Sequence, residues 1–328
     1  MTADIQPLTI QQALALLEGH QEVAICGHTN PDGDALGSNL ALAAWLRARG
    51  AKVTSLLAKL PKGPNLYSFL PGYDFVPASE YTGTPDLFVV VDTSTKERIG
   101  DGAAVFDRAG QTLVIDHHPD FDGFSPNYFG EPDSPATGLL VWRLLKASGQ
   151  PITQRMAEYC YVALMTDTGR FSFQNTTQEA FTAAGEMVAL GVDSAMMSRE
   201  VYENRSYSAM LLDSRLVERM RFAGNGAIVY SWVSEADLEE LNLSRDETEG
   251  LPTLLRSVRS VAMAVLFREE ENGVRVNLRA KYGCDVGALA REFGGGGHRA
   301  AAGISLEMPL EQAINTIIPR AEQQACLQ

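Results

Sequence analysis

Acids and imidazoles follow directly on three short apolar runs of this 328-residue chain. Residues 23–26 lead into Gly27-His28-Thr29-Asn30-Pro31-Asp32-Gly33-Asp34, residues 87–91 end in Asp92, and residues 113–115 end in Asp116-His117-His118. A fourth acid, Asp167, lies in Thr166-Asp167-Thr168-Gly169-Arg170 behind a helical stretch. Imidazoles and carboxylates without a thiolate suit manganese, iron, cobalt or magnesium better than a structural zinc site. Four converging carboxylates would repel one another strongly unless cations sat between them. Two divalent ions bridged by one aspartate resolve this; such ions lie roughly 3.5–4 Å apart, acidify a bridging water and stabilise the oxygens of an in-line displacement at phosphorus. Taken singly, Asp32 or Asp34 reads as a turn acid or helix N-cap, Asp92 as a loop cap and His28 as a hydrogen-bonded structural histidine. Delivery from three separate strand ends to one edge favours the metal reading.

The elements that must position these residues follow from periodicity. Apolar runs at 23–26, 53–57, 87–91 and 113–115 read as buried strands. Helical spacing marks 36–49 before Gly50, 136–147 before Gly149, 153–165, and 177–190 before Gly191. Strands alternating with helices predict an α/β domain, a mostly parallel sheet sandwiched by helices, whose ligands bind beyond the carboxyl ends of the strands. Residues 195–222 read as a polar helical stretch without a strand. Beyond it, strands at 227–233, 261–267 and 274–279 and helices at 251–259 and 286–293 predict a smaller α+β domain. The expected division is 1–194, a helical connector at 195–211, and 212–328. The acidic run 235–249 reads as a solvated helix and loop.

In the second domain Phe293-Gly294-Gly295-Gly296-Gly297-His298-Arg299 stands out, since consecutive glycines let backbone N–H groups approach an anion closely. Between residues 273 and 303, Arg275, Arg279, Lys281, Arg291 and Arg299 face only Asp285 and Glu292, a local +3 in a chain of net charge −14. That pattern reads as a small basic pocket; a packing role for the glycines is the plainer alternative.

Composition bounds the partners. With 27 Lys and Arg against 41 Asp and Glu, a broad face for long nucleic acid or an anionic membrane is not expected. Cys26, Cys160, Cys284 and Cys326 form no CxxC pair, the N-terminal segment lacks a basic signal region, and no apolar run is long enough for a membrane span. A soluble cytoplasmic protein is expected. Neither a P-loop nor a strand-linked GxGxxG is present, and Ser38, Ser68 and Ser134 lack a nucleophile elbow.

The series His28-x-x-x-Asp32-x-Asp34, Asp92, Asp116-His117-His118 and Thr166-Asp167-Thr168-Gly169 resembles the motifs of the DHH phosphoesterase superfamily, and residues 293–303 resemble the glycine-rich motif of the DHHA1 domain. The two-domain arrangement is similar to the bacterial nanoRNase/pAp phosphatase group. The resemblance implies a hydrolase with its active site in an interdomain cleft. It implies one metal on His28, Asp32 and Asp92 and a second on Asp34, Asp92, His117 and Asp167, with Asp92 bridging. Mn2+ is the expected ion, with Co2+ or Mg2+ as alternatives. His118 would face the scissile phosphate, with Asp116 orienting the histidines from behind. Arg279, Gly295, Gly296, Gly297, His298 and Arg299 would hold the rest of the substrate, and Arg98 and Arg170 are candidate phosphate contacts. The implied substrates are very short oligoribonucleotides and 3′-phosphoadenosine 5′-phosphate, not long duplexes, and a homodimer is compatible with the group. Cyclic-dinucleotide phosphodiesterase, exopolyphosphatase or pyrophosphatase, and a non-catalytic nucleotide sensor are the rival readings.

Overall fold

The computed structural model describes residues 5–59, 66–248, 250–281 and 283–325; the first four residues, Glu249 and Cys326 lie outside the described residues. The chain divides into two units, residues 1–61 with 67–201, and residues 62–66 with 202–328.

The first unit contains α1 (Ile10–Glu18), β1 (Glu22–Cys26), α2 (Gly33–Ala48), β2 (Lys52–Leu57), β3 (Val76–Pro77), β4 (Leu87–Val91), α3 (Gly102–Phe106), β5 (Gln111–Asp116), β6 (Tyr128–Gly130), α4 (Thr137–Ala147), α5 (Gln154–Asp167), α6 (Gln178–Ala189) and most of α7 (Ser194–Tyr202). Its six strands pair in parallel in the order β3-β2-β1-β4-β5-β6. Strand β4 is buried at all five positions, which explains its unbroken apolar sequence. Strand order reverses between β1 and β4, and such a switch point opens a crevice at the carboxyl ends of the strands. Every chemical residue singled out near His28, Asp92 and Asp116 lies at those ends.

Helix α2 buries thirteen of its sixteen residues, so it is a central helix and not an amphipathic surface one. It begins at Gly33, three residues before the start expected from periodicity, because Asp32 caps it by accepting from the N–H groups of Asp34 and Ala35. Close helix contact depends on missing side chains. A Cβ on Gly37 would lie 2.5 Å from the Tyr159 carbonyl of α5, and one on Gly138 would lie 2.3 Å from the Ala163 side chain. Larger residues would push α2 and α4 away from α5 and separate Asp34 of α2 from Asp167 of α5.

The second unit contains α8 (Tyr207–Glu218), β7 (Arg221–Ala223), β8 (Ile228–Val233), α9 (Glu235–Leu241), α10 (Leu251–Arg256), β9 (Met263–Glu270), β10 (Gly273–Ala280), α11 (Val286–Glu292), β11 (Gly296–His298), β12 (Ala301–Leu306) and α12 (Leu310–Ala325). Its mixed six-stranded sheet runs β11-β12-β10-β9-β8-β7. Val276, Leu278 and Ile304 lie in one core with Val286 and Leu289 of α11 and Ile317 of α12, while Ala264 and Leu266 lie in another with Leu212 of α8 and Leu255 of α10.

Two expectations are corrected. The polar stretch 195–222 is two helices, α7 and α8, and already contains the start of strand β7. The acidic run is not wholly solvated: Asp237 is buried, caps α9 with Ser234, and pairs with Arg215 and Arg219 of the preceding helical segment. Local sequence hides this pairing, since the two arginines lie 22 and 18 residues away.

Candidate active site

Within the first unit the backbone first fixes Asp92. It follows the last residue of β4, its N–H still donates to the Ile115 carbonyl at 2.9 Å, and its φ of 59° places it in the left-handed region. A non-glycine residue there is uncommon and costs about 1–3 kcal/mol, a strain that tends to cluster at functional positions. The turn places the carboxylate, itself buried, with Oδ2 3.4 Å from His28 Nε2 and Oδ1 3.6 Å from His117 Nε2.

His117 is the centre of the cluster. Its Nδ1 lies 2.9 Å from the Ser134 carbonyl, so Nδ1 donates there and Nε2 is the nitrogen turned toward the acids. That nitrogen faces Asp34 Oδ2 at 3.7 Å, Asp92 Oδ1 at 3.6 Å and Asp167 Oδ2 at 3.7 Å. These separations exceed hydrogen-bond range. His28, Asp32 and Asp92 each bring an atom within 4.8 Å of the others' atoms, and so do Asp34, His117 and Asp167. The structure thus gathers all six expected metal residues, with Asp92 touching both groups. Imidazole nitrogens and carboxylate oxygens converging at these distances suit divalent cations with nitrogen and oxygen ligands.

The support of this cluster comes from residues whose types gave no signal. Asp34 is held at the N-terminus of α4, where the N–H groups of Thr137 and Gly138 donate to its two oxygens at 2.7 and 2.8 Å and the Ser38 hydroxyl adds a third bond at 3.2 Å. The Thr137 hydroxyl donates to Asp92 Oδ1 at 3.1 Å. Asn175 donates to Asp167 Oδ2 at 3.2 Å. Backbone donors are invisible to residue-type reasoning. A short Ser/Thr-Pro-x-Thr-Gly-like segment before a helix was the one available hint, as Ser134-Pro135-Ala136-Thr137-Gly138.

Electrostatics follow the geometry. Burial and the carboxylates of Asp92, Asp167 and Asp32 push Asp34 well above the ordinary carboxylate range. Burial, partly opposed by His117 and reinforced by Asp32 and Asp92, pushes Asp167 up to about 6. Burial alone would raise Asp92 too, but the hydrogen bond with His28 and the charges of His118, His28 and His117 hold it far below the usual range. His118 borders the metal group: Nδ1 lies 2.7 Å from Asp116 Oδ1 and 3.8 Å from Asp92 Oδ1. Burial would lower its pKa, yet Asp116 and Asp92 raise it to about 9.

Arg98 lies on a 3-10 turn, Lys96–Ile99, whose backbone carbonyl at Arg98 accepts from Thr29 N–H at 2.8 Å, and its positive charge opposes protonation of His118. Arg170 is exposed, within three successive left-handed residues, Gly169, Arg170 and Phe171.

In the second unit the glycine-rich segment is a strand as well as a loop. Gly296–His298 pair with Gly303, Ala302 and Ala301 as edge strand β11. Gly295 is required by packing, since a Cβ there would lie 2.3 Å from the Gly303 carbonyl. Register places Arg279 and His298 on either side of Ala301, on one face of the sheet. Arg299 is exposed and its guanidinium donates to the Gly283 carbonyl at 2.9 Å, while its backbone carbonyl accepts from Val286 N–H.

The sequence pattern of the DHH family, N-terminal domain, matches residues 22–164, and that of the DHHA1 domain matches residues 225–325. The chain belongs to the DHH–DHHA1 phosphoesterase family. Its relatives include the bifunctional oligoribonuclease and PAP phosphatase NrnA of Bacillus subtilis, 29% identical over 85% of this chain and 87% of the relative. The protein of the same name from Thermus thermophilus is 28% identical over 96% and 93%. Among solved structures, an exopolyphosphatase-related protein from Bacteroides fragilis superposes with a TM-score of 0.86 at 25% identity, covering 97% of this chain and 96% of that one. No described helix of this DHH–DHHA1 protein is long and apolar enough to cross a membrane.

Proposed function

We propose that this protein hydrolyses very short oligoribonucleotides, such as pApA or pGpG, to mononucleotides, and 3′-phosphoadenosine 5′-phosphate to AMP, with two divalent cations, Mn2+ first among them. The observation that carries this reading is Nε2 of His117 facing three carboxylate oxygens at 3.6–3.7 Å. The names of the Bacillus and Thermus relatives supply the substrate class. Bound cations would supply an acidified water and offset charge on the phosphoryl oxygens. His28, Asp32 and Asp92 would hold one cation, and Asp34, Asp92, His117 and Asp167 the other.

The chain's own groups then divide the work. His118 has its Nδ1 held by Asp116, whose carboxylate favours the protonated imidazole. In that form its Nε2 is a donor suited to a phosphoryl or leaving oxygen. Asp116 orients it. Residues 1–194 act as the catalytic domain, 195–211 as the connector, and 212–328 as the substrate-binding domain. There Arg279, His298 and the backbone of Gly295, Gly296 and Gly297 would bind the base, sugar or second phosphate. Arg299 contributes local charge and holds the turn at Gly283. Arg98 and Arg170 are phosphate contacts. The ligand is small, the compartment is cytoplasmic, and a homodimer is compatible with this reading.

The test is release of mononucleotide from pApA and of phosphate from 3′-phosphoadenosine 5′-phosphate with Mn2+, Co2+ or Mg2+, for wild type and Asp92→Ala. The wild type should turn over both and the variant neither. Full activity in Asp92→Ala would remove the shared acid from the mechanism. Tight nucleotide binding without product would favour a sensor. Inorganic polyphosphate and a cyclic dinucleotide complete the panel, because the Bacteroides neighbour is described as exopolyphosphatase-related.

A further inference from the structure

After α5 the chain reverses sharply. Gly169, Arg170 and Phe171 all have positive φ, the Ser172 and Phe173 N–H groups fold back to the Thr168 carbonyl at 3.0 Å, and the Phe171 ring stacks on Phe181 of α6 at 5.5 Å. Two adjacent non-glycine residues in the left-handed region are costly, so the surrounding contacts must hold the turn in place. What the turn brings back is Asn175. Its single amide nitrogen lies 3.2 Å from Asp167 Oδ2, 3.1 Å from the Asp167 carbonyl and 3.0 Å from the Pro135 carbonyl. All three neighbours are acceptors, so the orientation of the amide is dictated by them.

Pro135 lies two residues before Thr137, whose N–H and hydroxyl hold Asp34 and Asp92. The side chain of Asn175 therefore connects the end of α5, which bears Asp167, to the segment that orients the other two acids. We infer that Asn175 is a positioning residue: it sets the distance of the Asp167 carboxylate from His117, and so tunes the affinity of the cation shared by Asp34, His117 and Asp167. The inference deepens the proposed metal function and rests on it. Partners of this kind change metal affinity by about 10–100-fold when removed.

The experiment is a calorimetric titration of the full chain with Mn2+, alongside thermal unfolding, for wild type, Asn175→Ala and Asn175→Ser. Asn175→Ala should bind one of two Mn2+ ions about 10–100-fold more weakly and leave the other within about twofold. Asn175→Ser returns one donor and should recover part of the loss, and it serves as the decisive variant if the alanine protein does not fold. Raising Mn2+ should restore hydrolysis of pApA by Asn175→Ala. Unchanged affinity for both ions in a folded variant would overturn the inference, as would equal weakening of both, which a merely structural role produces. A wild type that binds no Mn2+ would instead overturn the metal reading, and this inference with it.

Discussion

Replacing Asp167 by Asn should make the metal-free protein more stable and reduce the stabilisation that Mn2+ adds. Asp167 ends α5 with its side chain about a quarter exposed, 3.7 Å from His117 Nε2 and 3.2 Å from Asn175 Nδ2. Burial first, with His117 opposing and Asp32 and Asp92 adding repulsion, carries its pKa from 3.8 to about 6. At 1.36 kcal/mol per pH unit, that rise amounts to about 3 kcal/mol against the folded state once the group is ionised. The sign follows from proton counts. Between about pH 4 and 6 the folded chain keeps a proton that the unfolded chain has released, so stability falls as pH rises, and above about 6 the penalty is complete. Asn keeps an oxygen to accept from Asn175 and carries no charge. In EDTA at pH 8 the variant should be more stable than wild type by about 2–3 kcal/mol, a shift of roughly 5–10 °C in Tm for a unit of this size. At pH 4 the gap should close to within about 0.5 kcal/mol. Mn2+ at a hundred times its Kd should stabilise wild type by about 2.7 kcal/mol and the variant by less. Urea unfolding at both pH values, with and without Mn2+, reads all four quantities. An Asn variant less stable than wild type at pH 8 in EDTA, or a gap that ignores pH, would refute the reasoning.

Thr137→Val removes the hydroxyl donated to Asp92 while keeping shape; kcat for pApA at saturating Mn2+ should fall about tenfold, about 1.4 kcal/mol, with folding intact by circular dichroism. Asp237→Ala should destabilise the second unit by about 3 kcal/mol in urea unfolding, since it strips the α9 cap and both arginine partners. Burial would raise the Asp237 pKa, but Arg219, Ser234 and Arg215 hold it below the ordinary value; the wild type should therefore lose stability as pH falls below about 4, and the alanine variant should show no such loss from this site. Gly295→Ala places a methyl 2.3 Å from the Gly303 carbonyl and should cost about 1–3 kcal/mol of stability, with weaker calorimetric binding of 3′-phosphoadenosine 5′-phosphate.

The α/β architecture was legible because buried parallel strands must be apolar and must end where their chemistry begins. Val23–Cys26 of β1, Leu87–Val91 and the apolar part of β5 all ended in marked residues. Asp32 shows that competing readings of one residue need not exclude each other: it caps α2 through Oδ1 and also lies in the group with His28 and Asp92. What stayed hidden depended on backbone groups or on distant partners. The N–H groups of Thr137 and Gly138 have no residue signature, and Asn175 is an ordinary loop asparagine until Pro135 is seen beside it. Strand β11 was read as a loop because glycines carry no alternation of polar and apolar side chains. The burial of Asp237 required the fold of α8 against α9.

The row Arg279–Ala301–His298 sets a width. Neighbouring strands lie about 4.8 Å apart, so Arg279 and His298, two strands apart, are separated at the backbone by roughly 9–10 Å. A single methyl group occupies the middle of that row, and the gauge is fixed by ladder hydrogen bonds instead of by flexible rotamers. A bulkier residue at 301 would crowd both flanking side chains, since directly opposed Cβ atoms on neighbouring strands lie about 4.5–5.5 Å apart. In the proposed substrate-binding role of this face, one small residue would therefore set how far the charged pair beside it can close on a ligand.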